Sequence, residues 1–119
     1  MKNEKLIHDW MVSYLKDRLS RDYNYVKINL EEEKNEYKGQ HPDLILGNHG
    51  MVLALMEVET DGSITAEKAD AWKTLTGLGA KLILMVPKTS KAKVVELLWK
   101  KGMADKVSVG SYELSVSMP

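Results

Sequence analysis

Pro42-Asp43-Leu44-Ile45-Leu46-Gly47-Asn48-His49-Gly50-Met51-Val52-Leu53-Ala54-Leu55-Met56-Glu57-Val58-Glu59 reads as two strands joined by a tight turn. Proline is tolerated at the first residue of a strand, and Gly47-Asn48-His49-Gly50 is a turn cluster. Residues two apart on a strand share a face, so Glu57 and Glu59 point the same way. The turn decides whether Asp43 joins them. A three-residue loop Asn48-His49-Gly50 wants glycine at its left-handed last position, where Gly50 stands. Gly47 then opposes Met51, Asp43 opposes Leu55 and His41 opposes Glu57. Asp43 and Glu57 become diagonal neighbours with backbones roughly 7–8 Å apart. A four-residue loop would instead turn Asp43 to the other face.

Leu53 and Leu55 share parity with the two glutamates, so that face starts apolar and ends in acids, as at the mouth of a cleft. Carboxylates gathered there suit a hard ion such as Mg²⁺, held by one or two acids plus substrate phosphates. The competing reading is a solvent-exposed acidic face. His41 is open to the same two readings: it could orient water or bind metal, but a lone histidine before proline is more often structural.

Working outward, residues 3–19 carry Ile7, Trp10, Met11, Tyr14 and Leu15 at helical spacing, with Glu4 on the edge of that inward face. Tyr25 to Leu30 is a strand candidate, and the acidic run from Glu31 to Glu36 a loop or strand extension. Downstream, Thr65 is a good N-cap for a helix to about Leu78, with Ile64 as the staple before it. Leu82 to Val86 is apolar throughout, as in a strand covered on both faces. Ser90 caps a helix through Lys101, which Gly102 ends. Val107 to Val116 supplies a final strand or two. The order αβββαβαβ, with parallel crossovers after residue 60, predicts one α/β domain over 1–119 built on a mixed sheet.

Composition narrows the classes. The chain has 119 residues, enough for one core. With no cysteine, disulfides and thiolate metal sites are excluded. No apolar run is long enough to span a membrane, and Met1-Lys2-Asn3-Glu4-Lys5 leads into a mixed segment rather than a signal peptide's apolar block. A cytoplasmic protein is the expectation. The formal net charge is +0, which argues against coating nucleic acid by bulk charge. The distribution is uneven: residues 31–70 hold three basic and ten acidic residues, and residues 71–119 hold eight and three. An acidic segment beside a basic one fits a metal centre flanked by phosphate-contacting lysines, and equally fits solvated faces.

Pro42-Asp43 followed by Glu57-Val58-Glu59, within this element order, resembles the PD-(D/E)XK nuclease superfamily, which includes Holliday junction resolvases, many restriction enzymes and the tRNA-splicing endonuclease-like domains. The resemblance implies a restriction-endonuclease-like αβββαβ core, a mixed central sheet flanked by helices, and Mg²⁺ (or Mn²⁺) at Asp43 and Glu57, with Glu59 as a third candidate ligand. Glu59 stands where the family's lysine belongs. In some members that lysine has moved to the following helix, and Lys68, between Trp72 and Leu75 on that helix's inward face, is the candidate here. Its alternative role is to pack its stem on Trp72 with the amine in water. Resolvase-like members also carry an acid on the first helix, for which Glu4 is the candidate; a first-turn acid favoured by the helix dipole explains it as well.

The implied partner is nucleic acid, DNA first, contacted by Lys88, Lys91, Lys93, Lys100 and Lys101, with a homodimer expected by analogy. The rival expectation is a non-catalytic descendant of the same fold that binds nucleic acid or protein. It is motivated by the missing strand lysine and by only two arginines, Arg18 and Arg21. No phosphate-binding loop, dinucleotide fingerprint, serine elbow or histidine zinc motif occurs.

Overall fold

A computed structural model describes residues 2–114, without the side chain of Lys2. Helix α1 spans Lys2–Leu19, followed by strands β1 (Tyr25–Ile28), β2 (Leu44–Asn48) and β3 (Met51–Val58). A 3₁₀ turn at Asp61–Ser63 leads into α2 (Ala66–Thr76) and β4 (Lys81–Pro87). A second turn at Lys88–Ser90 leads into α3 (Lys91–Lys100) and β5 (Val107–Tyr112). The five strands lie in sequence order in one sheet. β1, β2 and β3 pair antiparallel, and β3, β4 and β5 pair parallel, so the sheet is mixed, as the element order predicts. The expected strand continuation through Val116 ends at Tyr112; residues 115–119 lie outside the described residues.

Alternation along β4 sorts the core. Leu82, Leu84 and Val86 are buried with Trp72 and Leu75 of α2 and Val94 and Leu98 of α3. Both crossover helices therefore lie on one face, as right-handed connections require. The other face packs Leu44, Leu46, Ala54, Met56 and Val58 under Met11, Val12 and Leu15 of α1. That pattern corrects the expected inward stripe of α1. Val12 belongs to it, whereas Trp10 and Tyr14 are 53% and 49% exposed and stack on each other with centroids 5.5 Å apart.

The hairpin also differs from expectation, in a way that keeps the acids together. The turn is the two-residue His49-Gly50, both left-handed (φ 51 and 80), with Asn48 opposite Met51 and Gly47 opposite Val52. This is the primed turn geometry that matches strand twist. Continued unbroken, that register would send Asp43 to the face opposite Glu57. A bulge between Leu46 and Gly47 intervenes, and beyond it Leu46 opposes Ala54 and Leu44 opposes Met56. Val52 and Leu55, three residues apart, consequently face the same core, while Leu53 is exposed rather than part of that face. One extra residue in β3 reverses the parity. Asp43 ends directly across from Glu57 instead of diagonal to it.

The helix ends follow the capping chemistry at one site and depart from it at another. The Thr65 hydroxyl accepts the Lys68 N–H at 3.1 Å, and Ile64 is fully buried beside it. Gly77 already caps α2, so the helix stops at Thr76 and short of Leu78. Ser90 makes no capping bond to α3. Its hydroxyl donates to Asp61 instead, tying the end of β4 to the turn after β3.

Candidate functional site

Asp43, Glu57 and Glu59 converge where β3 leaves the sheet. Asp43 precedes β2, and its carbonyl accepts the Asn29 N–H at 3.0 Å. Its Oδ2 accepts the Val58 N–H at 2.8 Å, across the hairpin. The Asp43 and Glu57 carboxyls face each other across the hairpin, so each disfavours the charged form of the other. Of the two, Glu57 is the one pushed toward the neutral form. Burial and then the adjacent Asp43 charge push the Glu57 carboxyl well above its ordinary value. Burial also acts to raise Asp43, but the hydrogen bonds from His8 and Glu57 and the Val58 N–H outweigh it and hold Asp43 low.

Glu59 is only 1% exposed and fully engaged. Oε1 accepts the Ser63 hydroxyl at 2.7 Å, and Oε2 accepts the Trp72 indole N–H at 2.8 Å. Lys68 Nζ lies 3.9 Å from the same Oε2. Lys68 therefore reaches the cluster from the first turn of α2, although its side chain is also part-exposed. Burial raises the Glu59 carboxyl, against the opposing pull of Ser63, Lys68 and Trp72. The Glu59 carbonyl accepts the Tyr112 hydroxyl at 2.6 Å, which fixes the strand end against β5.

α1 contributes two residues, one of them unforeseen. Glu4 accepts the Thr60 hydroxyl and, at 2.8 Å, the Gly62 N–H, and these bonds hold its carboxyl low. His8 presents Nε2 to Asp43 Oδ2 at 3.0 Å and Nδ1 to Asp9 Oδ1 at 2.9 Å. With a carboxylate at each ring nitrogen the imidazole is held protonated, up to about 9, chiefly by the Asp43 bond. The sequence did carry a signal for it: His8 lies four residues beyond Glu4 and so on the same edge of the helix.

No protein-family model matches the chain. No curated protein matches its sequence either.

Among the described residues, no three histidine, aspartate or glutamate side chains form a group arranged to hold a metal ion. Glu59 turns its two oxygens to Ser63, Trp72 and Lys68. The remaining pair, Asp43 and Glu57, is the number of acids with which Mg²⁺ is usually held when substrate oxygens and water complete its shell. His41 is exposed. Of the five lysines named above, Lys100 pairs with Glu96 and Lys101 with Asp70, each at 3.0 Å, while Lys88, Lys91 and Lys93 are exposed at the start of α3.

Proposed function

We propose that the chain is a nuclease-like domain of the PD-(D/E)XK kind, with a restriction-endonuclease-like core, that hydrolyses phosphodiesters of DNA or structured nucleic acid with Mg²⁺ or Mn²⁺. The single observation that carries the reading is geometric: the hairpin register sets Asp43 across from Glu57 at the strand end, with Lys68 Nζ 3.9 Å from the neighbouring Glu59 carboxylate. Asp43 and Glu57 would hold the ion, which when bound polarises the phosphodiester and lowers the pKa of a water. Glu59, held rigidly by Ser63 and Trp72, positions the Lys68 ammonium. In this way a lysine from α2 serves where the strand itself carries an acid. Lys68 then stabilises charge building on the scissile phosphate, and Lys88, Lys91 and Lys93 contact the backbone to either side.

The test is nicking of branched or duplex DNA in Mn²⁺. Activity present in the wild type and lost in Asp43→Ala and Glu57→Ala supports the reading; equal activity in those variants removes it.

A second reading, a non-catalytic module of the same fold, is favoured by one observation: Glu59 fills the lysine position with both oxygens already bonded. It expects no change in melting temperature with Mg²⁺ or Mn²⁺, and a clear rise with either ion would count against it.

A further inference from the structure

A cavity lies on the α1 side of the same strand end. It has a volume of about 450 Å³, in the range of small-molecule sites. It opens beyond the carboxyl ends of the parallel strands β3, β4 and β5, where ligands of open α/β sheets characteristically bind. A single helix covers about two strands of a sheet, and α1 packs over β1 to β3. The ends of β4 and β5 are therefore left to form the floor.

The walls are apolar and flat: the Tyr112 ring, Pro87, Ile7 and Leu114. The charged groups are mostly acidic, with Glu4, Asp61 and Glu113 against Lys88 alone. This balance disfavours a free phosphate and favours a ligand that presents N–H donors. Glu4 is engaged by Thr60 and Gly62, and Asp61 by Ser90 through Oδ1. These bonds hold both carboxylates in place before any ligand arrives.

The cavity is coupled to the carboxylate cluster by three links. Glu59 and Thr60 are consecutive, and Glu59 joins the cluster while Thr60 lines the cavity. Tyr112 lines the cavity and bonds the Glu59 carbonyl. Glu4 and His8, one turn apart on α1, serve the cavity and Asp43 respectively.

Building on the nuclease reading, we propose that this cavity receives an unpaired nucleobase next to the scissile phosphate, with an amino-bearing base preferred and guanine first. Its ring lies against Tyr112, Pro87 and Ile7. Its N1–H and amino group donate to the two oxygens of one carboxylate, Asp61 or Glu113. The substrate class is then single-stranded, looped or branched nucleic acid rather than continuous duplex, because a stacked base cannot enter the cavity.

The experiment is an amide-resolved NMR titration of the metal-free full chain with guanosine monophosphate, uridine monophosphate and inorganic phosphate. Guanosine monophosphate is expected to shift Ile7, Thr60, Thr89 and Tyr112, with uridine monophosphate weaker by about tenfold or more and phosphate without effect there. Asp61→Asn/Glu113→Gln, which keeps the shape and the Ser90 bond, should lose that preference, and Thr89→Trp at the mouth should block binding. Equal response to both nucleotides, the same shifts with phosphate alone, or an unchanged preference in the double variant would each overturn the proposal. Failure of the two readings can be separated. Guanine-selective shifts that persist in Asp43→Ala, in a protein that cleaves nothing in Mn²⁺, would sink the nuclease reading and leave the base site standing. Cleavage without such shifts would do the reverse.

Discussion

Glu57→Gln should make the metal-free protein more stable at neutral pH and no more stable in acid. The wild-type pair sets two half-buried carboxyls against each other, and burial together with the adjacent Asp43 charge raises the Glu57 carboxyl. A group whose folded pKa is raised binds more protons folded than unfolded. Stability must therefore fall as pH climbs above the ordinary value of 4.5. The substituted amide presents the same shape and a permanent N–H donor to Asp43, so this loss disappears. Two unit charges about 4 Å apart at an effective dielectric of about 20 repel by about 4 kcal/mol, which is a ceiling. His8 on Asp43 and Lys68 near Glu59 screen part of it, so we expect a gain of about 1–2 kcal/mol, near the upper range for single stabilising substitutions. For a chain of this length that is about 4–10 °C in Tm. Urea denaturation of both proteins in EDTA at pH 4 and pH 7.5 reads the difference directly. A variant less stable than wild type at pH 7.5, or equally shifted at both pH values, would refute the reasoning.

Two further perturbations probe the same cluster. His8 is protonated in the fold up to about 9 against 6.5 ordinarily, so its contribution is complete below pH 6.5 and is lost as pH rises through about 9. Allowing for solvent screening of a side chain 27% exposed, the loss is about 1–2 kcal/mol. His8→Gln should flatten the stability profile over that window, and an unaltered slope would show that the slope arises elsewhere. Trp72→Phe removes the indole N–H from the buried Glu59 Oε2 and leaves a small void. Denaturant unfolding should show a loss of about 2–4 kcal/mol, and a loss below about 1 kcal/mol would mean that Lys68 or water satisfies the oxygen unaided.

Element type and order were legible because apolar runs and turn residues carry them: the apolar β4 run, the Thr65 cap and the β3 run after the turn cluster all lie where the pattern put them. The convergence of Asp43 with Glu57 was legible only in parity. A loop of three residues and a loop of two followed by a bulge bring the same two side chains to one face, and residue types at the turn do not separate them. What distinguishes them is tertiary. A Cβ on Gly47 would lie 2.6 Å from the Met51 carbonyl and would also run into the Tyr25 ring, so the bulged strand closes only around a glycine, beneath a side chain distant in sequence. Trp10 and Tyr14 were misplaced for a related reason. Helical spacing shows that apolar residues recur, but α1 has apolar side chains on two sides, and the sheet beneath it chose Met11, Val12 and Leu15. His8 went unread because a histidine's significance lies in its partners, and Asp43 is thirty-five positions away.

The electrostatics of the cluster set Glu57 apart from the other two acids. Glu59 satisfies the ordinary account of a buried carboxylate, since each oxygen has a donor and a cation stands nearby. Asp43 is likewise balanced by His8 and the Val58 N–H. Glu57 is different. Its closest charged neighbour is another acid, and its protonated state is imposed by burial and repulsion rather than by a cation bonded to it. A glutamine would fill the position with less strain. On the nuclease reading proposed above, a raised carboxyl in this position is the one that a bound cation would draw back to its charged form, and Glu57 faces Asp43 at the strand end, with Lys68 of α2 near the neighbouring Glu59. The stability gained in Glu57→Gln and the response to Mn²⁺ lost in the same variant should therefore appear together. A variant that gains stability while retaining the wild-type rise in Tm with Mn²⁺ would show that the ion binds elsewhere and that the strain at Glu57 serves another end.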